Sequence, residues 1–346
     1  MQSKLSTRGL AKRYGTIDAL LPTDLDVRPG ELLTLLGPSG SGKTTLLQML
    51  AGLVEPTGGQ LFIDGKDATD LPAGERGIGM VFQSYALFPH MTVAENVGYP
   101  LRMRRRKTAE IATEVARALS MVKMDAFGAR YPRELSGGQQ QRIALASCFV
   151  YRPEIILLDE PLGALDKNLR EHMQAEIRSL HRELGATFIY VTHDQDEALS
   201  LSDRVCLMND ARIEQIGSPR ELYDRPVSRL AANFIGHSNL LDGRVESGGF
   251  VWRDRRLVVA DGGAASLPAA SLMVRPEVVR VVPAEQGVLQ GTVRDLVFQG
   301  SDIKLVAQLP GGEEFSARMS CQAPHPQVGE AVGLAWDPQH AVVLSR

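Results

Sequence analysis

The chain has 346 residues, 44% of them hydrophobic, and its 38 Lys and Arg residues against 41 Asp and Glu residues give a net charge of −3. This balance gives no electrostatic reason to expect a nucleic-acid partner. No apolar run approaches the ~18 residues that a membrane-spanning helix needs, and a length beyond the ~250 to 300 residues of a single core predicts two domains.

The first segment of the chain reads MQSKLSTRGLAKRYG. It lacks the apolar core and the small-residue cleavage site of a secretory signal. We therefore expect the protein to stay in the cytoplasm.

The first informative pattern is an apolar strand at residues 32–36 that runs into a glycine-rich loop, followed by leucines at helical spacing. The loop fits G-x-x-x-x-G-K-[ST] in the strand and helix context that this motif requires. Its N–H groups and the helix N-terminus favour phosphate oxygens, so we predict ATP binding. Lys43 would reach the β- and γ-phosphates, and the Thr44 hydroxyl would bind Mg²⁺. The predicted loop residues are Gly37, Pro38, Ser39, Gly40, Ser41, Gly42, Lys43 and Thr44.

A stretch with little strand character follows at residues 94–132, with apolar residues at helical spacing from Ile111 to Val122. The next helix begins at Leu135-Ser136-Gly137-Gly138-Gln139 and continues to Val150. We therefore predict a helical subdomain over about 94–150 within an α/β domain.

The start of the helix at residue 135 has two possible explanations. Ser136 and Gln139 have the spacing of a capping box, which is purely structural. A capping box does not explain Gly137 and Gly138, each of which costs up to ~1 kcal/mol relative to Ala in a helix. Close approach of the backbone to a ligand would explain them, and we predict a second phosphate-binding helix N-terminus.

Two carboxylates follow the apolar run at residues 155–158, which predicts a buried strand ending at Asp159 and Glu160. The alternative, a solvated strand end, is common for one acidic residue but less so for two. With a phosphate loop present, Asp159 is predicted to hold Mg²⁺ and Glu160 to act as general base on the attacking water.

The motifs GPSGSGKT, Gln83, LSGGQQQR, ILLDEP and Thr192-His193, in this order, resemble the nucleotide-binding subunit of ATP-binding cassette (ABC) transporters over residues 5–235. The resemblance implies a P-loop NTPase fold with ATP and Mg²⁺ as ligands, and a homodimer in which each ATP lies between one P-loop and the partner's LSGGQ. It also implies two integral membrane permease subunits, an external solute-binding protein as an indirect partner, and a place at the cytoplasmic face of the cell membrane.

The same resemblance implies roles for single residues. Tyr14 would stack on adenine, and Ser39 through Thr45 would hold phosphates and magnesium. Gln83 would link the magnesium site to the membrane subunits, and His193 would hydrogen-bond the γ-phosphate, although a His after a strand is by itself more often structural. The residues expected to act across the dimer are Ser136, Gly137, Gly138, Gln139 and Asp166. Position 163 departs from the family pattern, because it is Gly163 where many relatives have serine.

From about residue 236 the pattern changes to short β-rich runs, so we predict domains at 1–235 and 236–346, the second a small all-β barrel or sandwich. Residues 303–308 and Phe315 are predicted to form a hairpin around Gly311-Gly312. The segment LMVRPE at 272–277 resembles the start of a strand in the oligonucleotide-binding-like regulatory (TOBE) domain of importer ATPases. The resemblance is greatest to the spermidine/putrescine, ferric-iron and maltose importers. Two roles for this C-terminal domain stay open: it senses a ligand, or it only stabilises the dimer.

The predicted function is therefore ATP hydrolysis that energises solute uptake, with a polyamine as the solute and ferric iron or sugar as alternatives. A cassette ATPase acting on DNA or ribosomes is disfavoured by the single P-loop and by the spacing of only about fifty residues between Gln83 and Ser136. A third alternative is that the tail is itself a binding module for an oligonucleotide or another protein, but it lacks the basic and aromatic pattern of surfaces that bind single strands.

Overall fold

The computed structural model of the chain describes residues 3–163, 166–246, 249–260 and 266–345. It divides into two compact units, residues 1–220 and 221–346. The first is α/β and the second is built mainly of strands, which confirms the predicted fold class. The predicted boundary after residue 235 stays a prediction.

The first unit contains ten strands and six helices among its described residues. The strands are β1 (Leu5–Tyr14), β2 (Ile17–Val27), β3 (Leu32–Leu36), β4 (Gly58–Ile63), β5 (Lys66–Asp67), β6 (Ile78–Val81), β7 (Ile155–Asp159), β8 (Thr187–Thr192), β9 (Arg204–Asn209) and β10 (Arg212–Gly217). The helices are α1 (Lys43–Ala51), α2 (Val93–Met103), α3 (Thr108–Met121), α4 (Gly137–Phe149), α5 (Lys167–Leu184) and α6 (Gln195–Leu201). A further helix, α7 (Pro219–Asp224), follows β10.

The central sheet of this unit has the strand order β10-β9-β3-β8-β7-β6. All neighbours pair in parallel except β10, which is antiparallel to β9. Every residue of β3 and β8 is buried, as expected for parallel strands covered on both faces. Because parallel strands end at the same edge, the segments that follow β3, β7 and β8 lie side by side there.

The remaining strands form an antiparallel sheet in the order β2-β1-β4-β5. The helical part predicted for about 94–150 contains α2, α3 and α4. Helix α2 begins with a capping box between Thr92 and Glu95, and α4 with one between Ser136 and Gln139. None of the described helices is long and apolar enough to cross a bilayer.

Among its described residues, the second unit holds the helix α8 (Arg229–Phe234), the larger part of α7, and two antiparallel sheets. One sheet has the order β13-β12-β11-β14-β20 and the other β15-β19-β16-β17-β18. The strands are β11 (Asn239–Glu246), β12 (Gly249–Trp252), β13 (Arg255–Leu257), β14 (Leu267–Val274), β15 (Arg280–Val282), β16 (Leu289–Phe298), β17 (Asp302–Gln308), β18 (Glu314–Ser320), β19 (Ala331–Ala335) and β20 (Ala341–Ser345).

Two local predictions for the second unit have different outcomes. The predicted hairpin is confirmed, because β17 pairs with β18 and Ala307 lies opposite Phe315. The segment 272–277 is not the start of a strand but the end of β14 and the turn after it. The strand ends there because Pro276 has no backbone N–H for pairing and begins the turn. The buried Arg275 before it donates hydrogen bonds to the carbonyls of Tyr223 and Ala232.

Candidate nucleotide site

The glycine-rich loop leads from β3 into α1, as the sequence predicts. A Cβ atom at Gly37 would lie 2.1 Å from the carbonyl oxygen of Met208. Gly42 has φ +96°, and a Cβ atom there would lie 2.9 Å from the carbonyl oxygen of Ala19. Side chains at these two positions would therefore collide with the neighbouring backbone, so the loop can keep this path only with glycine.

Lys43 points back into this loop. The residue is 5% exposed, and its ammonium group lies 2.8 Å from each of the carbonyl oxygens of Gly37 and Pro38, to which it donates hydrogen bonds. Burial lowers the pKa of Lys43, while the negative charges of Glu160 and Asp159 oppose that shift. A positive charge is thus held at the N-terminus of α1, where a phosphate group would be bound most strongly.

The predicted phosphate-binding side chains lie on both faces of the loop. Ser39 and Thr44 are exposed, Thr45 is half-buried, and Ser41 is buried beneath Lys43, 3.4 Å from its nitrogen. The exposed hydroxyls can contact a ligand, whereas Ser41 faces the protein.

Asp159 ends β7 beside this loop and is half-buried. Burial raises the pKa of its carboxyl group and the adjacent charge of Glu160 raises it further, while a hydrogen bond from Thr44 and the charge of Lys43 act in the opposite direction. A carboxylate and a hydroxyl are hard oxygen donors of the kind that Mg²⁺ prefers. Asp159 and Thr44 therefore fit a magnesium ion.

Glu160 has a strained backbone and a well-placed carboxylate. Its φ of 43° lies in the left-handed region, which costs a residue other than glycine about 1–2 kcal/mol. One carboxylate oxygen accepts a hydrogen bond of 3.3 Å from Gln83 Nε2, and the other lies 3.3 Å from His193 Nδ1. The structure thus brings together three of the residues predicted to be catalytic, and strain of this kind is typical of functional sites.

The predicted residues of the LSGGQ segment lie at the N-terminus of α4. Gln139 Oε1 accepts a hydrogen bond of 2.9 Å from the backbone N–H of Ser136, so the capping explanation holds. A Cβ atom at Gly138 would lie 3.0 Å from a methyl carbon of Leu169, so packing against α5 supplies a reason for this glycine within the chain. Within the described part of the chain, no hydrogen bond joins residues 136–139 to the P-loop.

Two further predicted residues lie at the ends of elements. Tyr14 ends β1 with 51% of its surface exposed, and the ammonium of Lys12 lies 4.9 Å from the centre of its ring. Asp166 caps α5 by accepting a hydrogen bond from the backbone N–H of Leu169. Gly163 is exposed, while Ala164 and Leu165 of the same segment lie outside the described residues.

One buried acidic residue near the site was missed by sequence reasoning. Glu197 on α6 is 2% exposed and accepts hydrogen bonds from Tyr190 and Thr192. Its position four residues after His193 was the available signal, but burial of a glutamate cannot be read from a short polar helix.

The phosphate loop after β3, the carboxylates after β7 and the histidine after β8 define a P-loop ATPase. The family model described as ABC transporter matches residues 20–163, and the TOBE domain model matches residues 272–344. The first match lies in the α/β unit and the second in the unit built mainly of strands.

Relatives match over most of the chain. A spermidine/putrescine import ATP-binding protein, PotA, from Rubrobacter xylanophilus is 43% identical over 97% of this chain and 92% of its own length. The PotA protein of Thermobifida fusca is 44% identical over 95% of this chain and 89% of its own length.

Solved structures share the fold. The ATP-binding cassette MJ0796, solved as a dimer in a post-hydrolysis state with ADP and Pi, has a TM-score of 0.57 and 34% identity, covering 62% of this chain and 99% of that one. CbiO1 of Clostridium perfringens, part of the ABC transporter complex cbiONQ, has a TM-score of 0.60 and 28% identity, covering 64% of this chain and 91% of that one. This chain belongs to the ABC transporter family, and it is an ATP-binding ATPase.

Proposed function

We propose that this chain is the ATP-hydrolysing subunit of an importer that moves polyamines of the spermidine and putrescine type into the cell. The observation that carries the ATPase mechanism is the Glu160 carboxylate held between Gln83 and His193 at the edge of the sheet where the P-loop lies. The solute is supported by the names and the 43% and 44% identity of the import proteins described above.

The residues at this edge of the sheet have different chemical roles. Lys43 and the N–H groups of the loop bind the phosphates. Asp159, Thr44 and Gln83 would hold Mg²⁺, which when bound neutralises charge on the phosphate oxygens. Glu160 accepts a proton from the attacking water, and its place beside His193 allows the imidazole to hydrogen-bond the γ-phosphate.

We further propose that a second copy of the chain completes each site. Residues 136–139 lie at a helix N-terminus, and within the described residues they have no hydrogen bond to the P-loop of their own chain. An ATP that contacts this N-terminus would therefore be bound by the P-loop of another copy. The dimeric MJ0796 structure supports this arrangement. Asp166 would act across the same interface, and Tyr14 would stack on the adenine.

The segment after Gln83 is suited to contact the membrane subunits. Tyr85 and Ala86 both have positive φ, of 61° and 50°, so this part of the loop is strained. It borders a groove of about 220 Å³ whose lining includes Phe82, Tyr85, Leu87, Phe88 and Tyr99. The hydroxyl of Tyr85 is buried there without a hydrogen-bond partner among the described residues. We propose that an apolar permease segment with one polar group binds in this groove, and that this contact would hold the protein at the cytoplasmic face of the membrane.

The test is reconstitution of the full chain with its two membrane subunits and the solute-binding protein in liposomes. We expect ATP hydrolysis to be stimulated by the binding protein loaded with spermidine or putrescine, and not by ferric iron or maltose. Stimulation by another solute would overturn the polyamine assignment. Hydrolysis that is unaffected by the membrane subunits would overturn the transport function and leave only the ATPase.

A further inference from the structure

A buried carboxylate lies beneath the segment that carries His193. Glu197 Oε2 accepts two hydrogen bonds of 2.7 Å, one from the hydroxyl of Tyr190 and one from the hydroxyl of Thr192. Burial raises the pKa of this carboxyl group although both hydrogen bonds lower it. An apolar side chain would avoid the cost of burying a charge at this contact, so packing alone does not explain a glutamate here.

The Glu197 carboxylate holds the chain before His193, and the hydrogen bonds of Asp194 hold the chain after it. The Thr192 hydroxyl that donates to Glu197 also accepts a hydrogen bond of 3.0 Å from the backbone N–H of Asp194. The Asp194 carboxylate in turn accepts from the backbone N–H groups of Asp196 and Glu197 at the start of α6. The residues before and after His193 are therefore held, while its imidazole is 59% exposed and faces Glu160.

An arginine connects this segment to the neighbouring helix. Arg170 on α5 donates a hydrogen bond of 3.0 Å to Asp194, and its Nε lies 3.8 Å from Glu197. Helix α5 is capped by Asp166, one of the residues expected to act across the dimer. The His193 segment and the start of α5 are thus joined through one guanidinium group.

We propose that Glu197 is a positioning residue for ATP hydrolysis. Its carboxylate fixes the Thr192–Asp194 segment so that His193 stays within reach of Glu160 and of the phosphate, and Arg170 ties the same segment to α5. This inference rests on the proposed role of His193. A displacement of about 1 Å at a catalytic group can lower the rate about a hundredfold, so loss of this anchor is expected to affect turnover more than ATP binding.

The test compares the two hydroxyls that share Glu197 Oε2. Thr192→Val removes the hydroxyl next to His193, and we expect kcat to fall about tenfold or more while the KM for ATP changes by less than about twofold. Tyr190→Phe is the matched control, because it removes the other hydroxyl from the same oxygen without touching the His193 segment. We expect its kcat to stay within about twofold of the original. Thr192→Ser keeps the hydroxyl and is expected to restore the rate.

A double-mutant cycle separates positioning from general stability. Because Thr192 acts through His193, we expect Thr192→Val to cause no further loss of kcat in a His193→Ala background. Equal losses in Thr192→Val and Tyr190→Phe, or losses that multiply in the double variant, would overturn the inference. If kcat falls in His193→Ala but not in Thr192→Val, only the positioning role of Glu197 is refuted. A fast His193→Ala variant would refute both it and the proposed role of His193.

Discussion

Glu160 and His193 follow different strands, yet the Glu160 carboxylate lies 3.3 Å from His193 Nδ1. The relationship follows from the parallel pairing of β7 and β8, in which Asp159 lies opposite Val191. The backbone N–H of Glu160 donates a hydrogen bond to the Val191 carbonyl. This bond fixes the Glu160 backbone next to the end of β8.

Glu160→Gln is expected to keep ATP binding and to lower kcat by about a hundredfold or more, because the amide keeps the shape of the carboxylate but cannot accept the proton of water. ATPase rate and ATP affinity by calorimetry are the measurements. Glu154→Gln is the matched control, since it removes the same charge just before the other end of β7, where Glu154 contacts Lys4. Comparable rates in the two variants would refute Glu160 as the base.

Asp159→Asn is expected to raise the Tm by about 2 °C or more at pH 8 and to weaken magnesium-dependent ATP binding. The folded-state pKa of Asp159 lies above 3.8, so the folded state binds more protons than the unfolded state and stability falls as pH rises through this window. The advantage of asparagine should therefore shrink as the pH is lowered towards 4.

The control for this pH dependence is Asp67, whose pKa is lowered by hydrogen bonds from Thr69. Its contribution has the opposite sign and is lost as the pH falls. Asp67→Asn should give no gain in Tm at pH 8. If the gain in Tm of Asp159→Asn grew as the pH was lowered, burial of the Asp159 carboxyl group would not be the cause of that gain.

Gly163→Ser is expected to change the ATPase rate by less than about threefold, because a Cβ atom there would lie in ordinary contact with the Glu160 carbonyl oxygen at 3.6 Å. Gly37→Ala, which also adds a Cβ atom at a site glycine, is expected to abolish ATP binding, because this Cβ would lie 2.1 Å from the Met208 carbonyl oxygen. Loss of activity in Gly163→Ser would show that glycine at this position has a functional reason.

Gln141→Met is expected to leave the Tm unchanged or to raise it. Gln141 is fully buried on α4, and neither atom of its amide has a hydrogen-bond partner among the described residues, a situation that costs about 1–3 kcal/mol. The adjacent Gln140 donates to the carbonyls of Pro132 and Leu135, so Gln140→Met should lower the Tm. A drop in ATPase rate for Gln141→Met at unchanged Tm would reveal that the amide gains a partner during turnover.

The local patterns predicted much of the site. The phosphate loop, the buried strand ending at Asp159 and the capped helix at Ser136 were all found where the sequence places them. Each depends on hydrogen bonds and backbone preferences within a few residues, so a short stretch of sequence is enough to specify it.

Segments whose structure depends on contacts with residues far away in the sequence were harder to predict. The run at 272–277 was predicted to start a strand, but β14 begins at Leu267 and ends at Val274, and the next side chain, Arg275, is held by the carbonyls of Tyr223 and Ala232. For Gly138 the sequence indicated a ligand, whereas the structure shows Leu169 of α5 in contact range. Neither partner lies near enough in sequence for a local pattern to contain it.

The sequence by itself determined that this chain binds a nucleotide in the ABC manner, because glycines, Lys43 and the carboxylates of Asp159 and Glu160 are required by the chemistry whatever surrounds them. Only the tertiary structure decided that Gln83 and His193 both meet the Glu160 carboxylate, and that Glu197 is buried against Tyr190 and Thr192. These relationships depend on which strands are neighbours and in which register. Sheet order is set by packing of the whole core and not by any one segment.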